Sequence, residues 1–229
     1  RQKRMFSFEI YPPKTDQGVI SLFDHLNKLK KFSPDYISLT YGAGGSNQAR
    51  SLELLKRLNS EFDGAVVAHF TCVGLDLNNI QGFISQLEQL NIRNILALRG
   101  DPPLNQPDFD FSKNHFKYAS ELVAYLKKNT SLCIGVAGYP EGHIAAPSQE
   151  KDWDYLKQKV DAGAEFIITQ LFFDNTCFFK FREGLSKRNI HIPIMPGILP
   201  VPSIERLNKS INLSGTRVPD SYKKIVEKY

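Results

Sequence analysis

Hydrophobic positions along this chain switch repeatedly between two periods. Phe6, Phe8 and Ile10 alternate with Ser7, Glu9 and Tyr11, the period of two of a half-buried strand, and Pro12-Pro13 closes the run. Val19, Leu22, Phe23, Leu26 and Leu29 then recur every three or four positions, the apolar stripe of a helix. The cycle repeats seven times. Strands are predicted at Met5–Tyr11, Tyr36–Tyr41, Val66–Cys72, Asn94–Leu98, Leu132–Tyr139, Phe166–Phe173 and Ile192–Leu199. The helical stripes between and after them include Leu52, Leu55, Leu58 and Phe62; Ile80, Phe83, Ile84 and Leu87; Leu122, Val123 and Leu126; Trp153, Leu156 and Val160; Phe178, Phe181 and Leu185; and Ile204, Leu207 and Ile211.

Strand-then-helix units with no linker between them predict an α/β fold, a (β/α)8 TIM barrel in one domain spanning 1–229. The pattern predicts about seven such units, with the C-terminal unit expected to be missing from the sequence given; the tail Val218–Tyr229 reads as a helix start with Asp220 or Ser221 as N-cap. An open barrel would leave the first strand beside a gap, so the natural protein is expected to continue by one or two units. A doubly wound open sheet is the alternative, but no dinucleotide fingerprint follows the first strand. The Gly-rich loop Tyr41–Ser46 after the second is only a weak phosphate signal.

Strand parity points to a site. Side chains alternate between the helix layer and the barrel axis. If Phe6, Phe8 and Ile10 face helices, then Ser7, Glu9 and Tyr11 face inward. The same logic aligns Ser38 with Thr40; Val67 with His69 and Thr71; Ala97 with Arg99 and Asp101; Gly135 with Ala137 and Tyr139; and Ile168 with Gln170 and Phe172. This interior is small at depth and polar at the C-terminal mouth, where barrel enzymes keep their chemistry, whereas a purely structural barrel would be filled with branched side chains. Arg99-Gly100-Asp101-Pro102-Pro103 has the plainest design: a glycine that admits close approach to the backbone, and prolines that end the strand. Taken alone it also reads as a strand end with a local ion pair. Glu9, desolvated inside a barrel, would have its pKa raised and could donate a proton; the structural alternative is a buried pair with Arg99 or a lysine. Thr40, His69, Tyr139 and Gln170 suit a large polar heteroaromatic ligand.

Composition removes other function classes. With 41% hydrophobic and 23% charged residues over 229 positions, the chain has ordinary globular proportions. No apolar run approaches the ~20 residues of a membrane span. The basic start Arg1-Gln2-Lys3-Arg4 leads into a strand pattern rather than a signal-peptide core, and the sequence lacks an initiator Met. Cys72, Cys133 and Cys177 are too widely spaced for a disulfide framework and read as reduced core cysteines of a cytoplasmic protein; the five histidines lack ligand spacing, and no metal is expected. A net charge of +5 without a basic stripe argues against nucleic acid and for a small polyanionic ligand.

Eight motifs in order then carry a resemblance: Phe8-Glu9-Ile10-Tyr11-Pro12-Pro13-Lys14-Thr15, Thr40-Tyr41-Gly42-Ala43, His69-Phe70-Thr71-Cys72, Ala97-Leu98-Arg99-Gly100-Asp101, Ala137-Gly138-Tyr139-Pro140-Glu141, Lys159-Val160-Asp161-Ala162-Gly163-Ala164, Thr169-Gln170-Leu171-Phe172-Phe173 and Pro196-Gly197-Ile198-Leu199-Pro200. From about Phe6 to Pro219 the sequence strongly resembles methylenetetrahydrofolate reductases, flavin-dependent (β/α)8 barrels of one-carbon and methionine metabolism. The resemblance implies ping-pong reduction of 5,10-methylenetetrahydrofolate to 5-methyltetrahydrofolate by NADH or NADPH through FAD. It implies Glu9 as the general acid at folate N10, Asp101 as an anion near pterin and flavin, and Gln170 as the folate-orienting residue. Flavin contacts are implied for Thr40, Tyr41, Ala43, His69, Arg99, Gly100, Asp101, Tyr118, Ala119, Tyr139, His143, Ala146, Asp152, Tyr155 and Lys159, with Arg99, His143 and Lys159 at the polar tail. The sequence departs from the family where an aromatic often follows Pro200: Ile204, Leu207 and Ile211 stand on that helix. A non-catalytic flavin- or folate-binding barrel fragment, and another flavin barrel such as a proline-dehydrogenase-like enzyme, are the alternative readings. NADH against NADPH stays open, as does a homo-oligomer.

Overall fold

The computed structural model describes residues 5–40, 48–102, 109–111 and 114–228. Tyr41 and Ala43 therefore lie outside the described residues, as does the rest of the Gly-rich loop. The elements are β1 (Ser7–Ile10), α1 (Asp16–Leu29), a 3-10 turn (Lys30–Phe32), β2 (Tyr36–Leu39), α2 (Gln48–Glu61), β3 (Ala65–Thr71), α3 (Leu77–Gln89), β4 (Asn94–Leu98), α4 (Ala119–Asn129), β5 (Cys133–Gly138), α5 (Gln149–Asp161), β6 (Phe166–Thr169), α6 (Asn175–Lys187), β7 (Ile194–Met195), α7 (Ile204–Ser214) and α8 (Asp220–Val226). A helix follows each strand and the pairings are parallel between neighbours in sequence, the order of a (β/α) barrel with seven strands among the described residues. The chain divides into two compact units, residues 1–134 and 135–229, the division falling within β5.

In the first unit the strands run in the order β1-β2-β3-β4. Glu9 stands opposite Ser38, Ser38 opposite Val67, and Val67 opposite Asn94. Phe70 stacks on Phe83 of α3 with ring centroids 4.4 Å apart, and Ile80, Leu87, Leu122 and Leu126 complete a fully buried layer between helices and strands. In the second unit β5 pairs with β6 and β6 with β7, putting Ala137 opposite Ile168 and Ile168 opposite Met195. Trp153 of α5 meets Phe181 of α6 edge to face over Leu156, Ile167 and Leu185.

Most helices start where the side chains dictate. Thr15, Asp76, Ser148, Asp174 and Ser203 each accept a backbone N–H of the first turn, closing α1, α3, α5, α6 and α7. The tail helix begins differently. Pro219, not Asp220 or Ser221, is its N-cap, and Asp220 is its first residue, where a carboxylate favours the positive helix end.

The strands are shorter than their apolar runs. β1 stops at Ile10, β2 at Leu39, β5 at Gly138 and β6 at Thr169, while β7 shrinks to Ile194–Met195. Pro193, Pro196 and Pro200 lack ladder donors and restrict the seventh run. Tyr11, Thr40, Arg99, Tyr139 and Gln170 thus sit just beyond strand ends rather than on strands. Phe6 departs from the expected packing: it is 49% exposed, and its ring packs edge-on against Phe8, 4.9 Å away. Of the cysteines, only Cys72 is buried; Cys133 and Cys177 are half-buried.

Candidate active site

In the first unit the site is built on the ends of β1 to β4. Glu9 accepts a hydrogen bond from Thr40 Oγ1 at 3.3 Å. It is exposed, so the desolvation expected of a carboxyl inside a barrel is not found: β1 is described as pairing with β2 alone, and water reaches the acid. His69, the next inward residue of β3, is 4% exposed, and its Nε2 has no hydrogen-bond partner among the described residues. Burial lowers the His69 pKa, while the Glu9 charge pulls it the other way, which shows the two groups to be within electrostatic reach. The imidazole is therefore neutral near pH 7, with a polar nitrogen left for a ligand.

β4 delivers Arg99-Gly100-Asp101. The Arg99 guanidinium lies over the Phe111 ring, 4.4 Å from its centroid, and the Arg99 carbonyl accepts Val73 N–H at 2.9 Å. Gly100 has φ +88°, and a Cβ there would fall 2.6 Å from Val73 Cγ1 and 2.9 Å from Thr71 Cβ. Its missing side chain makes room for Thr71 and Val73 at the end of β3. Asp101 is exposed beyond it. Tyr118 is 52% exposed at the N-terminus of α4, with Ala119 the first helical residue; its N–H and that of Lys117 are held by Glu121 Oε2 at 3.3 and 2.7 Å.

In the second unit the loop after β5 is pinned by α5. Trp153 Nε1 donates to the Tyr139 carbonyl at 3.2 Å, and Gln149 Nε2 to that of Pro140 at 2.7 Å. Tyr139 and His143 meet edge to face at 4.7 Å, and His143 Nδ1 accepts Ala145 N–H at 3.0 Å. Asp152, Tyr155 and Lys159 share one face of α5 by their spacing. Lys159 Nζ donates to the Ala137 carbonyl at 2.6 Å. The residue as a whole is half-buried, but the ammonium is packed round by protein, and burial pulls its pKa down to about 8 against the opposing pull of Asp152. Asp152 is itself raised by burial, with Lys159, His143 and a backbone bond from His143 opposing. Tyr155 is 41% exposed.

Gln170 follows β6. Its N–H donates to Gly138 O at 2.8 Å, and its side-chain Oε1 folds back to accept Leu171 N–H at 2.9 Å. Gly197, after β7, closes this side: its N–H donates to Thr169 Oγ1 at 2.9 Å, and a Cβ would sit 2.3 Å from the Thr169 carbonyl. A cleft of about 240 Å³ opens here, bounded by Tyr139, His143, Ala146, Gln170, Thr216 and Arg217 among others.

Within the first unit the structure gathers Glu9, Thr40 and His69, with Arg99, Gly100 and Asp101 on the next strand end. Within the second it gathers Tyr139, His143, Ala146 and Gln170 round the cleft, and Asp152 and Lys159 on α5. Thr216, Arg217 and Glu141 also line the cleft, without having been singled out from the sequence as binding residues. Glu141 stands inside a recognised motif, but Arg217 lies in a tail with no periodic signal. Among the described residues, no helix is long and apolar enough to cross a membrane, and no cluster of three or more His, Cys, Asp or Glu is placed to hold a metal ion.

A family model described as methylenetetrahydrofolate reductase matches residues 1–229. The chain belongs to the methylenetetrahydrofolate reductase family. Methylenetetrahydrofolate reductase 1 of Schizosaccharomyces pombe is 34% identical over 97% of this chain and 37% of its own length. Methylenetetrahydrofolate reductase (NADH) 1 of Arabidopsis thaliana is 36% identical over 93% of this chain and 38% of its own. A bacterial relative, 5,10-methylenetetrahydrofolate reductase of Pectobacterium carotovorum, is 34% identical over 93% of this chain and 70% of its own. The chain thus spans well under half the length of the two eukaryotic methylenetetrahydrofolate reductases. Among solved structures, a tryptophan synthase α-subunit of Pyrococcus furiosus matches with a TM-score of 0.56 at 11% identity, covering 93% of this chain and 88% of that one. The 3-dehydroquinate dehydratase of Geobacillus kaustophilus matches at 0.54 and 11%, covering 86% and 75%. These last two share the fold alone.

Proposed function

We propose that this chain carries the catalytic barrel of a flavin-dependent reductase that converts 5,10-methylenetetrahydrofolate to 5-methyltetrahydrofolate with NADH or NADPH as reductant. The observation that carries this reading is the family match across residues 1–229. NADH is the first reductant to try, since plant relatives carry it in their names.

The residues fit an FAD. Orphaned His69 Nε2 offers a hydrogen bond that the described residues do not use, and the enclosed Lys159 ammonium offers a point charge to a phosphate. When bound there, FAD would supply the hydride-transfer chemistry that links nicotinamide oxidation to folate reduction. Arg99, His143 and Lys159 are assigned to the polar tail, with Asp152 beside Lys159 on α5, and Asp101 to the neighbourhood of the flavin ring, with His69 among the other flavin contacts. Tyr41 and Ala43 complete the proposed flavin set with Thr40, Gly100, Tyr118, Ala119, Tyr139, Ala146 and Tyr155. Glu9 delivers a proton to folate N10 as the imidazolidine ring opens. Thr40 orients it, and its exposure gives bulk water a route to restore the proton. Asp101 places an anion that disfavours further negative charge nearby, and Gln170 orients the folate through its side-chain amide.

The test is an absorbance spectrum followed by anaerobic NADH and then methylenetetrahydrofolate. Bleaching by the first and recovery with the second are expected. A colourless protein that takes up no added FAD would end the flavin reading. A yellow protein that NADH bleaches but folate does not restore would end the folate assignment.

A further inference from the structure

Glu141 has a role that proton transfer and flavin binding do not use. Its carboxylate is 12% exposed, yet it accepts from Arg217 three times: from the backbone N–H at 3.3 Å to Oε1 and 3.2 Å to Oε2, and from Nε at 3.1 Å to Oε2. The Arg217 side chain is 84% exposed, so the arginine lies outside and covers a largely buried acid. The adjoining Thr216 is 5% exposed; its Oγ1 donates to the Leu171 carbonyl at 3.1 Å, and its N–H to Ser214 Oγ at 3.2 Å. The turn 214–217 after α7 is therefore fastened at two points. One is Leu171, the neighbour of Gln170. The other is Glu141, two residues after Tyr139 and two before His143.

We propose that Glu141 is a positioning residue: with Arg217 and Thr216 it braces the β5 loop against the β6 loop across the rim of the cleft, holding Gln170 where folate binding needs it. The proposal rests on the reductase reading for its ligand, but the brace itself does not. A carboxylate this buried, with two donors making three contacts on it, is costly to strip of either, because the remaining polar groups are left unpaired away from water. Losing the brace frees the turn and lets the two loops move apart, weakening binding in ground and transition state alike, which raises KM more than it lowers kcat.

The experiment uses E141Q, E141A, E141K, R217E and the double variant E141K/R217E in the FAD-loaded protein, with two readouts. Hydrogen exchange at the Thr216 and Arg217 amides needs no turnover. Exchange is expected to quicken by about tenfold in E141A and less in E141Q, which keeps one acceptor oxygen. KM for methylenetetrahydrofolate is expected to rise by about tenfold in each charge-reversed single variant, with flavin reduction by NADH unchanged. The double variant should recover only the side-chain part of that loss, since the ion pair is rebuilt with its signs exchanged while a lysine ammonium cannot accept the Arg217 backbone N–H. Unchanged exchange in E141A, a double variant no better than the worse single, or quickened exchange with an unaltered KM would each overturn the proposal. If the unsubstituted protein fails to turn over folate, the functional reading fails instead, and the exchange data alone decide whether the brace exists. Should E141A not fold, E141Q and R217E carry the same comparison.

Discussion

Glu9 and Lys159 show how residue type and surroundings divide the work. Glu9 is a carboxyl at a strand end with Thr40 and Tyr11 as side-chain donors and water beside it. The amide of Glu9→Gln keeps the shape but cannot deliver a proton. Folate reduction is expected to fall by ~10²–10⁴, the usual contribution of a general acid, while flavin reduction by NADH changes little. Stopped-flow measurement of the two half-reactions checks this; equal losses in both would make Glu9 a structural residue. Lys159 makes the pH prediction. Burial holds its folded pKa at about 8, below the usual 10.5. Between those values the unfolded chain holds more protons than the native one, so this residue's cost to stability is full below pH 8 and fades as pH rises to 10.5. A bound phosphate needs the proton kept. FAD affinity of the apoprotein is therefore expected to be level below pH 8 and to decline above it. In Lys159→Met that decline should vanish; parallel profiles in the two proteins would remove Lys159 from the phosphate site. Neither environment could be read from residue order. The sequence places Glu9 on the inward parity of β1, but whether it is dry depends on what stands beside that strand. The Glu141–Arg217 contact joins residues 76 apart with no pattern linking them.

Elements were more legible than residues, for a physical reason. Alternation and the 3.6-residue stripe follow directly from which side of a strand or helix must be dry, so every βα unit is visible in the order of apolar positions. Where a strand stops is set by backbone hydrogen bonding, which apolarity does not report. The seventh run is the clearest case: Ile192–Leu199 reads as a full strand, yet prolines leave only Ile194–Met195 paired. Helix starts fall between these cases. Ser148 before α5 is a plain N-cap, its Oγ accepting Lys151 N–H at 3.1 Å. Pro219 before α8 is not, because an Asp and a Ser follow it and compete for the role. Ser148→Ala should lower stability by about 1 kcal/mol, seen as a reduced urea midpoint with an unchanged slope. A changed slope would mean that more than the cap had been lost.

At the scale of the molecule, cofactor and fold are linked through binding to the native state. FAD at a hundred times its Kd should add ~2.7 kcal/mol to the stability of the apoprotein, because the ligand binds the folded chain and not the unfolded one. Thermal unfolding with and without FAD measures this. His69→Ala and Lys159→Met should each shrink the rise at the same FAD concentration, and a rise unaltered by both would place the flavin elsewhere. The order of the strands has a consequence of a different kind. Each paired strand in the two units finds its neighbour one βα unit away along the chain, as Ser7 finds Tyr36, Val67 finds Asn94 and Ile167 finds Ile194. Closing a loop of about thirty residues has nearly the same entropic cost at every step, and no pairing within a unit waits for a distant segment. A ribosome releasing this chain at a steady pace would therefore leave the C-terminal-side edge of each paired strand within a unit bare only for the time needed to make the next strand, a few seconds at about 5–20 residues per second.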